Sequence, residues 1–386
     1  MSNRPARALA ALACLLLASA AWPQGRGKLT PPPGWTPSVP TGFKVSVYAD
    51  QLAHPRWLAV APDGDVFVAD TLPKTGDVVV LHGGPQAVSR TVFAGNLNRP
   101  FGIVFHGEYV YVAEETEVVR FRYDPKTSRR LGEAEHILDL PAGGQDVTRS
   151  LAISPDGKHL FVSAGDFSDH GQTAEPGFPM PGDPRRGAVS ECDLNGKNAR
   201  IYASGMRNPV GVAFNPASGE LWATNVNTDG LENLPNDYFT ALKPKAFFGW
   251  PYTYLGQHVD PRVKPQRPDL VAKALAPEVL LPAHSVPLQV AFYSARQFPA
   301  AYRGGAFIAQ HGPGNPEQGP GYQVVFVPFQ GGKPAGAPQA FLTGFAAPAG
   351  GRASYGHPVG VAVAADGSLL VSDDFGNRIW RISDGQ

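Results

Sequence analysis

Six times along the chain a proline, once a threonine, opens a short run in which apolar residues alternate with small or polar ones. The runs are PRWLAV at Pro55, PFGIVF at Pro100, TRSLAI at Thr148, PVGVAF at Pro209, PLQVAF at Pro287 and PVGVAV at Pro358. Alternation with a period of two is the mark of a half-buried strand. Five of the runs continue through a turn into a second strand: APDGDVFVAD, HGEYVYVAE, SPDGKHLFVSAGD, NPASGELWATN and AADGSLLVSDD. The fifth unit reaches its second strand, GGAFIAQHG, after an insertion. Third strands follow in EVVRFRY and NRIWRI.

A repeated unit of a few antiparallel strands cannot bury both of its faces alone, and radial packing of successive sheets solves that problem. The pattern therefore predicts an all-β fold, a six-bladed β-propeller formed as one domain over residues 42–386. Its last unit supplies only three strands, whereas FKVSVYA at residues 43–49 is an orphan before the first unit. Pairing the orphan with the last unit removes two exposed edges and closes the ring.

Composition agrees with strands and loops: 44 glycines and 39 prolines are more than helix interiors tolerate. The 33 basic residues balance the 33 acidic ones, which gives no reason to expect a nucleic-acid partner. Residues 1–20 read as an export signal. Arg4 and Arg7 precede the apolar run ALAALACLLLASA, and Ala18-Ser19-Ala20 offers small residues for cleavage. The apolar residues after Cys14 argue against a lipoprotein tether there. A periplasmic or secreted protein without stable membrane insertion is expected. Residues 21–41 are Pro-rich and pattern-free, and read as an extended lead-in.

In a propeller, residues just before the first strand of a blade and just after its second share one rim of the axial channel. Strand-one starts place His54, Arg99, Arg149, Arg207, Asn208 and His357 there. Strand-two ends add Asp70, Glu114, Asp166, Asn225, Asn227, Asp229, His311, Asp373 and Asp374. Acids and amides at strand ends commonly satisfy turn backbone, which is the expected role of Asp70 and Asp373. Arginines converging on one mouth call for acids or an anionic ligand, and guanidinium groups suit carboxylates. Arg149 stands one residue inside its repeat, at a parity that also allows a position between blades.

The stretch from Gly205 to Gly256, with RNP before a blade, a polar loop after ELWAT, and FGWPYTYLG, resembles the soluble pyrroloquinoline quinone (PQQ)-dependent sugar dehydrogenases, in particular their sorbosone dehydrogenase-like branch. GGQDVTRSLAISPDG, AFIAQHGPGNPEQGPGYQVVFVPF and GHPVGVAVAADGSLLVSDDFGNRIWRI extend the likeness over most of residues 43–383. The resemblance implies PQQ and Ca²⁺ at the axial mouth, a sugar or aldehyde substrate and an external electron acceptor. It implies quinone contacts from Arg207 and Asn208, with Arg99, Arg149, His311, Asn315, His357 and Trp250 as further cofactor contacts. It also implies calcium near Asn225, Asn227 and Asp229, largely on backbone oxygens. For Trp250 and Tyr252, plain packing is the competing reading.

Three departures stand in the pocket. Where the resemblance calls for a histidine base, the string is GGQDVTR, so the position falls on Gln145 or Asp146; only Asp146 accepts a proton at neutral pH, and it is the expected base, with Arg207 stabilising developing charge. In QHGPGNPEQGPGY, Gly314 and Pro316 replace an aromatic and an arginine. TNVNTDG lacks a Glu-Arg pair. Two other readings are a propeller that binds a sugar or partner without oxidising it, and a lactonase-type hydrolase needing axial carboxylates such as Glu114, Asp166 and Asp373.

Overall fold

The computed structural model describes residues 27–168, 183–229, 231, 233–264, 266–313, 321–346 and 353–385. The expected export signal at residues 1–20 lies outside the described residues, as does Asn315.

The six repeated runs are the innermost strands of six sheets, which makes the protein a six-bladed β-propeller. Blade 1 consists of Pro55–Val60, Val66–Thr71, Gly76–His82 and Ser89–Leu97. Blade 2 consists of Ile103–His106, Tyr109–Ala113, Glu117–Asp124 and Arg129–Asp139. Blade 3 runs through Leu151–Ile153, His159–Ala164, Ala188–Asp193 and Arg200–Ser204, with Ala246–Phe247 added in parallel at its edge. Blade 4 is Asn208–Phe214, Leu221–Val226, Asp237–Leu242 and Val279–Leu281. Blade 5 is Pro287–Phe292, Ala306–Gln310, Gln323–Val327 and Gln339–Leu342. Blade 6 takes Pro358–Val363, Leu369–Asp373 and Arg378–Asp384 from the C-terminal end and Phe43–Ala49 from the N-terminal end. That last pairing is antiparallel, from Phe43 opposite Asp384 to Ala49 opposite Ile379, so the orphan strand closes the ring.

Alternation within each strand sends neighbouring side chains into different seams. In blade 1, Val66 and Val68 join Leu370 and Ile379 of blade 6, while Phe67 and Ala69 join Phe121 and Val112 of blade 2. Six apolar clusters result, one for each seam between blades. Val210, Leu288 and Val359, the second residues of three inner runs, meet Trp57 and Phe101 and fill the channel.

The glycine of PVGVA has a physical reason. The Gly211 N–H donates to Thr224 Oγ1 (2.8 Å), which donates in turn to the Leu288 carbonyl of the next blade (2.8 Å). The Gly360 N–H likewise donates to Ser372 Oγ (2.7 Å), which donates to the Arg56 carbonyl (2.5 Å). Gln289, at the same repeat position in blade 5, reaches past Gly360 and bonds both backbone groups of Leu58, at 3.0 and 2.8 Å. A side chain at position 360 would occupy that crossing.

The lead-in is not the loose segment its composition suggests. Ser38 exchanges backbone hydrogen bonds with Thr343 (2.8 and 2.9 Å), and Trp35 packs on Phe345, Tyr355 and Trp380. One large aromatic suffices to dock an otherwise irregular strap on blades 5 and 6.

Candidate functional site

The strand register places both ends of each inner hairpin on one rim. Pro55 lies opposite Asp70, Pro209 opposite Asn225, Pro287 opposite Gln310 and Pro358 opposite Asp373. Several of these rim residues serve their own blade. The His54 N–H donates to Asp70 (2.5 Å), Asn98 N–H to Glu114 (2.5 Å), Asn208 N–H to Asn225 Oδ1 (3.0 Å) and His357 N–H to Asp373 (2.8 Å). Among the described residues Glu114, Asp166 and Asp373 do not come close enough together to share one hydrolytic metal ion.

A different set crosses from blade 3 to blade 4. Asp146, in the loop before blade 3, accepts from Asn208 Nδ2 (3.0 Å) and pairs with Arg207 Nη2 (3.2 Å). Gly165 lets these groups meet, because a β-carbon there would overlap the Asn208 amide oxygen and come within 2.5 Å of Asp146 Cβ. Gln145 is exposed and is fixed through its backbone N–H to Phe167 O (3.0 Å). The geometry therefore joins Asp146, and not Gln145, to the RNP residues.

Behind this cluster, Asp166 accepts from Trp250 Nε1 (2.6 Å) and from the Phe167 N–H (2.7 Å), and its own N–H donates to Arg207 O (2.8 Å). Burial pushes the Asp166 carboxyl above the usual range, against the pull of these donors and of Arg207 and Arg186. Trp250 is buried, with its indole N–H committed to Asp166. Arg186 completes the wall: its Nη2 donates to the carbonyls of Ala142 and Gly143 (2.9 Å to the latter), and its guanidinium lies over Phe167 at 5.2 Å.

Two expected cofactor contacts are held elsewhere. Arg149 is fully buried and donates to the carbonyls of Asp146 (2.7 Å), Thr148 (2.8 Å) and Pro141 (2.8 Å). Burial, with Arg186 nearby, lowers its pKa to about 10. It shapes the loop that presents Asp146, in line with its inward parity. Arg99 is bound to the Pro73 carbonyl and to Glu115 (3.0 Å), bridging blades 1 and 2.

The calcium loop also differs from expectation. Asn225 Oδ1 accepts from Asn208, Asn227 Oδ1 accepts from the Thr228 N–H (3.1 Å), and Asp229 pairs with His284 (2.7 Å). Arg262 Nη1 donates to the Asp229 carbonyl at 2.6 Å. Arg262 thus takes the Asp229 carbonyl, one of the backbone oxygens that the resemblance assigns to calcium.

His311 and His357 meet on the opposite arc of the rim, with ring centroids 4.5 Å apart and Asp374 beside them. Asp374 is paired with Arg56 Nη1 (2.5 Å), His54 Nε2 (3.3 Å) and His311 Nε2 (3.4 Å). Although burial opposes ionisation, these groups hold the Asp374 carboxyl far below the usual range. Sequence reasoning missed Arg56 and Arg186. Arg56 is the second residue of its run, at the position that Val210, Leu288 and Val359 hold in other blades, so the repeat marks it as channel filling, and Arg186 lies in an insertion without repeat signal.

The fold is a six-bladed propeller whose rim brings Asp146 to Arg207 and Asn208. The chain belongs to the TrAA12-like family, whose model matches residues 37–244 and 260–385. It is similar to an uncharacterized protein of Borreliella burgdorferi, 26% identical over 361 residues that cover 90% of each chain. Among solved structures it is similar to the holo form of the PQQ domain of pyranose dehydrogenase from Coprinopsis cinerea (22% identity, TM-score 0.77, covering 92% of this chain and 98% of that one). It is also similar to the calcium structure of the Trichoderma reesei family AA12 protein (19% identity, TM-score 0.75, covering 90% and 97%). At these identities the two structures bear on the fold alone. Among the described residues no helix is long and apolar enough to cross a membrane.

Proposed function

We propose that the protein oxidises an aldose or related sugar aldehyde with PQQ bound at the axial mouth beside Asp146, Arg207 and Asn208, and passes the electrons to an external acceptor. The observation that carries this reading is the contact of Asp146 with both polar residues of the RNP run. Two buried polar atoms in the same wall, Arg186 Nη1 and Asn208 Oδ1, have no hydrogen-bond partner among the described residues. A cationic donor and an amide acceptor fit a planar tricarboxylate and a hydroxylated substrate.

When bound, PQQ supplies a two-electron acceptor. Asp146 then takes the proton from the sugar hydroxyl at the carbon that is oxidised. Arg207 steadies the negative charge that develops across from it, and Asn208 orients Asp146 through its amide N–H. Calcium accompanies the quinone in the resemblance, but Arg262 holds the Asp229 carbonyl, and no step here depends on calcium. Export to the periplasm or medium follows from the pattern of residues 1–20, and N-terminal sequencing of the purified protein tests it.

The function is tested by titrating the full chain with PQQ, followed by quinone absorbance, and then by dye reduction with a panel of aldoses. Saturable binding and sugar-dependent reduction are expected. Binding without turnover would favour a sugar- or partner-binding propeller, and no binding would overturn the reading.

A further inference from the structure

On the arc of the rim away from Asp146, three blade ends converge. His311 follows the second strand of blade 5, His357 precedes the first strand of blade 6, and Asp374 follows the second strand of blade 6. One ligand atom from each lies within 4.8 Å of the others. The rings are fixed from behind. His311 Nδ1 is 3.2 Å from the Gly312 carbonyl, an acceptor only, so Nδ1 carries a proton and Nε2 is the ring atom turned to Asp374. His54 repeats the arrangement, with Nδ1 donating to the Asp374 carbonyl (3.0 Å) and Nε2 turned to the same carboxylate. His357 is stacked on Phe375 (4.5 Å, 6°) and bonded to Ser354 Oγ (2.7 Å).

Nε2 of His54 and Nε2 of His311 lie 3.3 and 3.4 Å from Asp374 Oδ2, a spacing that a ring proton or a shared metal ion satisfies. Arg56 neutralises Asp374 from the Oδ2 side, yet Oδ1 of this 2%-exposed residue accepts no hydrogen bond from the described residues. The 3.4 Å from His311 Nε2 to Asp374 Oδ2 is close to the edge of a tetrahedron around zinc, about 3.3 Å for ligand bonds near 2.0 Å.

We propose that His311, His357 and Asp374 form a binding site for one divalent transition-metal ion of the zinc class. Two imidazoles and one carboxylate suit such an ion, whereas calcium prefers oxygen ligands. The ion staples blade 5 to both ends of the inner hairpin of blade 6, next to the seam where the ring closes.

The test uses the full chain, stripped with chelator and free of PQQ, titrated with Zn²⁺ by calorimetry and with Co²⁺ by visible absorption. One equivalent is expected to bind, with a cobalt spectrum of low coordination number, and millimolar Ca²⁺ should not displace it. His311→Gln and Asp374→Asn should each weaken binding at least about tenfold. Asp374→Asn also removes the partner of Arg56, so His311→Gln, which keeps that pair, is the deciding variant. Absence of stoichiometric binding, or unchanged affinity in His311→Gln, overturns the proposal. Neither readout depends on quinone or turnover, so the proposal stands or falls apart from the enzymatic reading.

Discussion

Replacing Asp146 by Asn is the sharpest perturbation of the blade 3–blade 4 site, because it removes a charge while keeping the shape of the side chain. Arg207 is 6% exposed and loses its partner at 3.2 Å, whereas Asn208 Nδ2 keeps an oxygen to donate to. Losing a charged hydrogen bond of this kind costs about 2 kcal/mol. Asp166 still faces Arg207, which keeps the loss from reaching the value for a wholly isolated buried charge. Thermal melting should therefore fall by only a few degrees. Turnover should suffer much more: losing a positioned proton acceptor costs on the order of 10²–10⁴ in kcat. That corresponds to roughly 3–5 kcal/mol of barrier. The assay is dye-linked oxidation of the preferred aldose at saturating PQQ, with quinone affinity measured separately by absorbance. The expected pattern is a collapse of kcat with quinone affinity changed little. A rate within twofold of the parent would remove Asp146 from the mechanism. Parallel loss of quinone affinity and rate would mean that the residue acts by holding Arg207 in place.

Two further outcomes follow from the fold. Asp237 is fully buried, and burial raises its pKa to about 6 against hydrogen bonds from the Asn227 and Val286 N–H groups and Ser285. The folded state then holds a proton that the unfolded chain releases near the ordinary carboxylate value of 3.8, so the contribution to stability is complete below that pH and is lost as pH rises through about 6. Urea midpoints of Asp237→Asn should vary less between pH 4 and 6 than those of the parent, by up to about 3 kcal/mol; parallel profiles would sink this assignment. Gly360→Ala should cost about 1–3 kcal/mol, since its β-carbon would overlap the Arg56 carbonyl and lie 2.9 Å from Gln289 Oε1. Gly84→Ala, with nothing within 4 Å, serves as the control, and equal urea midpoints for the two would contradict the close crossing of strands.

Repetition made the fold legible. PRWLAV through PVGVAV mark every inner strand, and FKVSVYA could be assigned to blade 6 because an unpaired strand and a three-stranded unit need one another. The docking of Trp35 was hidden because a single anchor leaves no period. At the rim, the repeat indicated which residues share an end of the channel, but not which neighbour each one faces. Arg149 shows the limit: the repeat allowed it either the mouth or a place between blades, while its commitment to three carbonyls depends on how the loop from Pro141 to Thr148 folds back over it. Arg262 was unreadable for a similar reason, since it lies 33 residues from the Asp229 carbonyl it occupies.

The neighbours Asp373 and Asp374 show how one turn can split identical residues between architecture and chemistry. Asp373 lies in register opposite Pro358 and receives the N–H groups of His357 and Gly376 (2.8 and 2.7 Å), so it ties its own hairpin shut. Burial raises its pKa to about 6. Asp374 is one residue beyond the strand, where the side chain points the other way, toward Arg56 and His54 of blade 1 and His311 of blade 5. Those groups drive its carboxyl in the opposite direction. The same division separates Asn225, which caps blade 4, from Asp146, which reaches across to it. Rim residues in register thus stabilise single blades, and those displaced by one position, or carried on the loops between blades, build the surfaces that several blades share. A ligand at the mouth of this propeller is therefore read by the displaced set, while substitutions in the registered set act first on stability.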